Sequence, residues 1–374
     1  MGRIRSLLTT TIFLIIFLEI FANISLSNGE STSPWTTEEP MPVACGGFKA
    51  VVVDSTIYLF HLNQTYAYNP PNWTVKTSML TPRGSFALAA YQNKIYCIGG
   101  ATNFPSSVNE VYDSSTDTWT SKAPMPTARL YIDANVVDGK IYVISGDVQD
   151  HRWPNLVGNY ELSNVTEVYD IATDTWTTKA PIPNATSKYA SAVVDDKIYI
   201  IEKYTQIYDT KTDTWSVGAP PPHSVDFAAC AAIQGLEQPC IFVIGGRRDE
   251  GLETSYNQIY NVKNDSWSFG TALPTARYDM ATAVLDGKIY TIGGTIGSFY
   301  NIAQLNVTEM YDLQKDPVIT LLVLSSASPI PASSSPTPSV PEFPTLVIVP
   351  LLLSIFSAVL VRYRKTKSRP TLMY

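Results

Sequence analysis

Four basic residues, Arg83, Arg129, Lys188 and Arg277, recur along this chain, each shortly before an apolar run. A ring of such side chains could hold a carboxylate, because a guanidinium meets a carboxylate with two parallel hydrogen bonds. The same residues would serve equally to tie one structural unit to the next through backbone carbonyls or nearby acids. A second set is aromatic and basic. His151, Arg152, Trp153 and Tyr160 share the stretch DVQDHRWPNLVGNYELSN, Arg247, Arg248 and Tyr256 share another, and Phe299 and Tyr300 lie in a third. Residues of this kind suit recognition of a protein or a sugar. Hydrolysis would need paired carboxylates or an activated nucleophile, whereas the acids of these stretches, such as Asp147, Asp150 and Glu161, are of the solvated loop kind. The three histidines, His61, His151 and His223, are scattered, and no Cys/His cluster has metal-ligand spacing. The sequence thus singles out no catalytic set, no metal and no cofactor.

The elements that must position these residues are written as a repeat, and a repeat decides the fold. EVYDSSTDTWTSKAPMP begins at Glu110 and EVYDIATDTWTTKAPIP at Glu167, with further copies from Ile207 and Ile259. In each, Trp follows Tyr by seven residues: Tyr112 and Trp119, Tyr169 and Trp176, Tyr208 and Trp215, Tyr260 and Trp267. A shorter copy holds Tyr68 and Trp73, and a sixth, EMYDLQKD, holds Tyr311 without a Trp. Ahead of every copy come an apolar run, a tight polar turn and a second apolar run, as in QNKIYCIGG and DGKIYVISG. Asp-Gly at Asp138–Gly139 and Asp286–Gly287 suits a type I′ hairpin turn, which needs positive φ at both central residues. Each unit therefore reads as four strands, a to d, and there are six units. Sheets of this kind bury both faces when they pack radially around an axis.

The glycine pair after strand b (Gly99–Gly100, Gly245–Gly246, Gly293–Gly294), the later Tyr and the Trp seven beyond it resemble the kelch repeat over roughly residues 35–312. That resemblance implies an all-β, six-bladed kelch-type β-propeller. Blades three and four depart from it, with Ser145–Gly146 and Ile201–Glu202, and are expected to be irregular near the hub. Trp35, in SPWTTEEPMP, matches the ends of the other units, so an N-terminal outer strand is expected to complete the sixth blade and close the ring. The rival for that place is residues 318–324. In such a ring the a–b and c–d turns share one face, and the b–c loops and d–a linkers share the other. The b–c loops are long, at 101–109, 147–164, 247–257 and 295–306, which makes their face the candidate site. Kelch-type propellers include copper oxidases and a sialic-acid epimerase. Three scattered histidines fit the copper chemistry poorly, and the T-D-T-W turns lack the glycine of a sialidase Asp box.

The chain ends suggest where the propeller works. Arg3 and Arg5 precede an apolar run at 7–20, and small residues follow, as in a signal peptide over residues 1–27. A propeller over 28–317 is expected, then a Pro/Ser-rich stalk at 318–342. Residues 343–361 are uncharged and suit a C-terminal transmembrane helix, with a basic tail at 362–374 on the cytosolic side. The order PEFP, apolar span, basic cluster resembles the C-terminal sorting signals of archaeal surface proteins. The formal charge is −7, from 26 basic and 33 acidic residues, and the acidic body argues against a nucleic-acid partner. Export permits a disulfide between Cys230 and Cys240, which otherwise read as two small buried residues. It also permits N-glycosylation at the sequons of Asn63, Asn72, Asn164, Asn184, Asn264 and Asn306. The sequence reading is a cell-surface module, with its propeller extracellular, that binds an extracellular protein or glycan. The alternative is a carbohydrate-active enzyme, epimerase-like or lyase-like, acting on acidic sugars.

Overall fold

The computed structural model describes residues 33–234, 238–248, 251–297 and 301–319. The leader, the apolar span, the basic tail, nearly all of the stalk, and Phe299 and Tyr300 lie outside the described residues. Among the described residues no helix is long and apolar enough to cross a membrane.

Six four-stranded antiparallel sheets form the blades. In blade two the strands run Ala87–Tyr91, Lys94–Ile98, Asn109–Asp113 and Thr118–Ser121 from hub to rim. The six inner strands are Lys49–Val53, Ala87–Tyr91, Ala134–Val137, Ala190–Val194, Ala229–Ile233 and Ala281–Leu285. Each touches the next, and the first touches the last, so the ring is closed. Closure uses the N-terminal strand Trp35–Glu38, which pairs with Thr308–Asp312 in blade six. Trp35 stands opposite Tyr311 just as Trp119 stands opposite Tyr112 and Trp176 opposite Tyr169. The Asp138–Gly139 and Asp286–Gly287 turns have positive φ at both residues, as the type I′ geometry requires. The fold continues past residue 317: Ile319 is buried in the cluster that holds Trp35 and Tyr311.

The repeated Tyr, Asp and Trp fasten each blade to the linker that enters it. Tyr169 donates from its hydroxyl to Asp174 at 2.6 Å, and Asp174 accepts from the backbone N–H of Ala123 at 2.9 Å. The Trp176 indole N–H donates to the carbonyl of that same Ala123 at 2.9 Å. Thr77, Ala180 and Ala219 are clasped in the same way in blades two, four and five, and Thr271 is clasped by Trp35 and Asp316 in blade six. Blade one lacks the acid because its turn is shorter, and the Tyr68 hydroxyl is buried there without a partner. The rings also fill the space between sheets: Tyr169 and Trp176 pack with Tyr96 and Ile98 of the preceding blade.

Candidate functional site

Three of the four recurrent basic residues belong to the scaffold rather than to a ligand site. Arg83, Arg129 and Arg277 are at most 1% exposed. Arg83 pairs with Glu110 at 2.6 Å and donates to the carbonyls of Gly99 and Cys97. Arg129 pairs with Glu167 at 2.7 Å and donates to Ser145 and Val165, and Arg277 pairs with Glu309 and donates to Gly293. Their charges are paired inside the blade and their guanidiniums are buried there, so these three do not form a ring open to a ligand. The pairing is all or none. Blades four and five have Thr186 and Val225 in place of the Arg, with Gln206 and Gln258 in place of the glutamate, and blade one has Cys45 and Tyr66.

Lys188 is not a fourth member of that set. It stands two residues beyond Thr186 and belongs to a different ring, at the mouth of the central channel. Gly47, Ser85, Tyr131, Lys188, Phe227 and Asp279 occupy this position in the six blades, and all have left-handed backbone, with φ from 52° to 81°. For a side chain such as Tyr131 or Phe227 that conformation costs about 1–2 kcal/mol. A belt of main-chain hydrogen bonds holds it. Tyr131 donates to Ser85, Lys188 to Tyr131, Phe227 to Lys188, Asp279 to Phe227 and Gly47 to Asp279, at 2.8–3.2 Å.

The side chains of the mouth form one stacked group. The Lys188 ammonium lies 5.0 Å from the Tyr131 ring and 5.5 Å from the Phe227 ring. The Arg247 guanidinium lies 5.4 Å from Phe227 and 5.3 Å from Tyr278, and it faces Asp226 at 3.9 Å. These are cation–π distances. Burial pushes the Asp279 carboxyl above its usual range, against the opposing pull of Lys49 and Arg247. Lys49 itself pairs with Asp133 at 3.1 Å, and Asp133 also accepts from the Ser191 hydroxyl. The cavity at the mouth is about 50 Å³, and the one below it, lined by Asp133, Ser191 and Cys230, is about 220 Å³.

The other described residues of the predicted ligand site lie on the outer loops of the same face. The 147–164 loop is a hairpin whose strands are Asp147–Gln149 and Tyr160–Leu162. His151, Arg152 and Trp153 are at its exposed tip, with Trp153 58% exposed. Arg152 grips Asp150 through two nitrogens and holds that carboxyl down at about 2, while His151 faces Glu161 at 3.5 Å. Leu156, Val157 and Leu162 are exposed on the hairpin too, and Tyr160 leans on Asn103 beside the exposed Phe104 of blade two. In blade five, Arg248 reaches the Tyr256 hydroxyl at 3.4 Å, and the Tyr256 ring stacks on His223 with centroids 4.4 Å apart. The structure therefore divides the predicted site residues among blade interiors, channel mouth and outer loops. The sequence reading missed Tyr131, Phe227, Tyr278, Asp279 and Lys49. The signal available was position: the mouth residue follows each buried arginine by two.

The expected Cys230–Cys240 disulfide is not formed, and all four cysteines are free. Cys230 is opposite Val243, and Cys240 is opposite Ile233, three positions further along the strand. An odd offset puts the two thiols on opposite faces of the sheet. The six sequon asparagines are all exposed. Among the described residues no group of three His, Cys, Asp or Glu stands close enough to hold a metal ion.

Residues 73–236 match the family model of the FKB95 kelch-repeats domain, and residues 276–316 match that of the kelch motif. The chain belongs to the kelch-repeat family. Among its kelch relatives, the "Kelch repeat and BTB domain-containing protein 2" of Horsepox virus is 25% identical over 172 residues, 44% of this chain and 31% of that protein. The protein of the same name in Ectromelia virus (strain Moscow) is 27% identical over 163 residues, 42% of this chain and 29% of that protein. The kelch region shared with these curated relatives is about a third of their length. The structure of YjhT shares the propeller fold, with a TM-score of 0.62 at 16% identity, over 73% of this chain and 96% of that one.

Proposed function

We propose that this kelch propeller is exported, anchored in the cell membrane through residues 343–361 with its basic tail in the cytosol, and recognises an extracellular protein or glycan through its b–c loop face. Kelch repeats commonly mediate protein–protein binding. The observation that carries the reading here is the 147–164 hairpin. Its two-stranded stem holds Trp153, Leu156 and Val157 in water, each more than half exposed, and exposed apolar groups held by a rigid support mark recognition surfaces. The channel mouth favours surface recognition over turnover. At about 50 Å³ it is far below the roughly 300–1,000 Å³ of a small-molecule pocket.

The chain enters and leaves the ring side by side on the turn face, where the Asp312 N–H donates to the Pro34 carbonyl at 2.8 Å. A tether at either end therefore starts opposite the loops. Display is tested by protease treatment of intact cells that make the full chain. Cleavage of the propeller with the cells unbroken supports export, and protection sinks it. Recognition is tested on arrays of extracellular proteins and glycans, with the purified chain beside a Trp153→Ala, Leu156→Ala variant. A specific signal lost in the variant supports the hairpin, and an equal signal from both removes it.

A further inference from the structure

We infer that Asn164 carries an N-linked glycan whose first sugars lie in the groove beside the blade-three hairpin. The inference rests on the exported reading above. Asn164 is exposed and is itself a wall of an open groove of about 830 Å³. Pro126 and Ala128 enter the groove from the linker between blades two and three, Pro183 from the next linker, and Leu162 from the hairpin. These are the apolar surfaces on which the C–H face of a sugar ring rests. Polar groups stand among them. His151 and Glu161 line the groove, as does Gln149, whose side-chain oxygen is buried and accepts no hydrogen bond within the protein.

The sequon is also timed by the fold. Its hydroxyl residue, Thr166, lies in strand c and is 0% exposed. A folded blade cannot present that hydroxyl to a glycosyltransferase, so the sugar is attached before strand c pairs, while the chain is being exported. Asn63 and Asn306 share this arrangement: each stands five residues before the repeat Tyr, with Thr65 and Thr308 buried behind it. In its blade Asn164 adds the hairpin, which walls the groove. Asn264 is a contrast within the same molecule, because it projects from a c–d turn with an exposed Ser266.

The test forces export, so that it is independent of the native location. The full chain is placed behind a heterologous secretion leader in a eukaryotic cell, and occupancy is read by peptide mass spectrometry. Native protein is then trimmed with an endoglycosidase, and release at Asn164 is compared with release at Asn264. The expected result is an occupied Asn164 trimmed about tenfold more slowly than Asn264, the factor that about 1.4 kcal/mol of contact supplies. Ala128→Trp, which fills the groove, should bring the two rates together without changing occupancy. An unoccupied Asn164, trimming at the rate of Asn264, or slow trimming that Ala128→Trp leaves unchanged would each overturn the inference. Such a failure leaves surface display standing, and a protected propeller in the intact-cell experiment leaves this result standing.

Discussion

Arg129 and Glu167 form a buried ion pair in blade three, and blade five carries Val225 and Gln258 at the same two positions. Nature's own substitution lies two blades away, so the pair can be tested against it. Arg129 is 0% exposed and Glu167 is 2% exposed. Glu167→Gln leaves a guanidinium buried without its counter-charge, and Arg129→Val leaves the carboxylate alone and strips donors from the Ser145 and Val165 carbonyls. Breaking one side of such a pair costs about 3–5 kcal/mol, whereas replacing both sides with packed neutral groups is close to neutral. At roughly 2–4 °C per kcal/mol, each single variant should melt roughly 6–20 °C below the wild type. The double variant, Arg129→Val with Glu167→Gln, should recover most of that loss. The new amide can still meet Thr127, whose hydroxyl donates to Glu167 at 2.7 Å in the native protein. The assay is a double-mutant cycle by calorimetry, with melting reversibility checked for each variant. If the double variant melts as low as the singles, the hydrogen-bond frame of Arg129 governs the cost and charge isolation does not. If Glu167→Gln alone is harmless, the pair is not electrostatically sealed and the argument for a purely structural arginine fails.

Asp279 and Asp174 should respond to pH with opposite signs. Burial raises the folded pKa of Asp279, so its stabilising share is complete below about pH 3.9 and is lost as pH rises through the raised value. Asp279→Asn should therefore raise the melting temperature at neutral pH, with a gap to wild type that closes in acid; a pH-independent gap refutes this. The Tyr169 hydroxyl, followed by the Ala123 N–H, lowers the Asp174 pKa. Its share is present above about pH 3.9 and is lost as pH falls through the lowered value, and Tyr169→Phe should remove about 1.5–3 kcal/mol at pH 7. A Tyr169→Phe protein as stable as wild type would show that this clasp is idle. Unfolding without reductant followed by alkylation should label all four cysteines, and a mass lacking two labels would contradict the free thiols.

How much of this was legible in the sequence depends on which level of structure a residue serves. Tyr112, Trp119 and their equivalents were legible because each blade meets the same linker with the same clasp, so the same letters return at the same spacing. Ring closure by Trp35 was legible for that reason too. The role of the arginines was half visible: the E of EVYD or EMYD accompanies each of them, and the Q of QIYD and QIYN stands in two of the three blades that lack them. Lys188 shares the charge of the arginines and not their spacing, standing where Ser85 and Asp279 stand in their blades. Arg83 and Arg277 stand four residues ahead of their inner strands, Arg129 five, and Lys188 only two.

The channel mouth was hidden for a deeper reason. Its six positions repeat in backbone and not in side chain, as Gly, Ser, Tyr, Lys, Phe and Asp, all left-handed and joined by one belt of amide hydrogen bonds. Glycine is the residue such a backbone favours, and only blade one uses it. A bulky aromatic at this φ, as in Tyr131 and Phe227, is a local rule broken against the propensity of the chain, and breaks of that kind gather where a protein binds or acts. The fold spends its repeated letters on fixing where these positions lie. The side chains there are then free of the repeat, which is why a search for repeats passes over them.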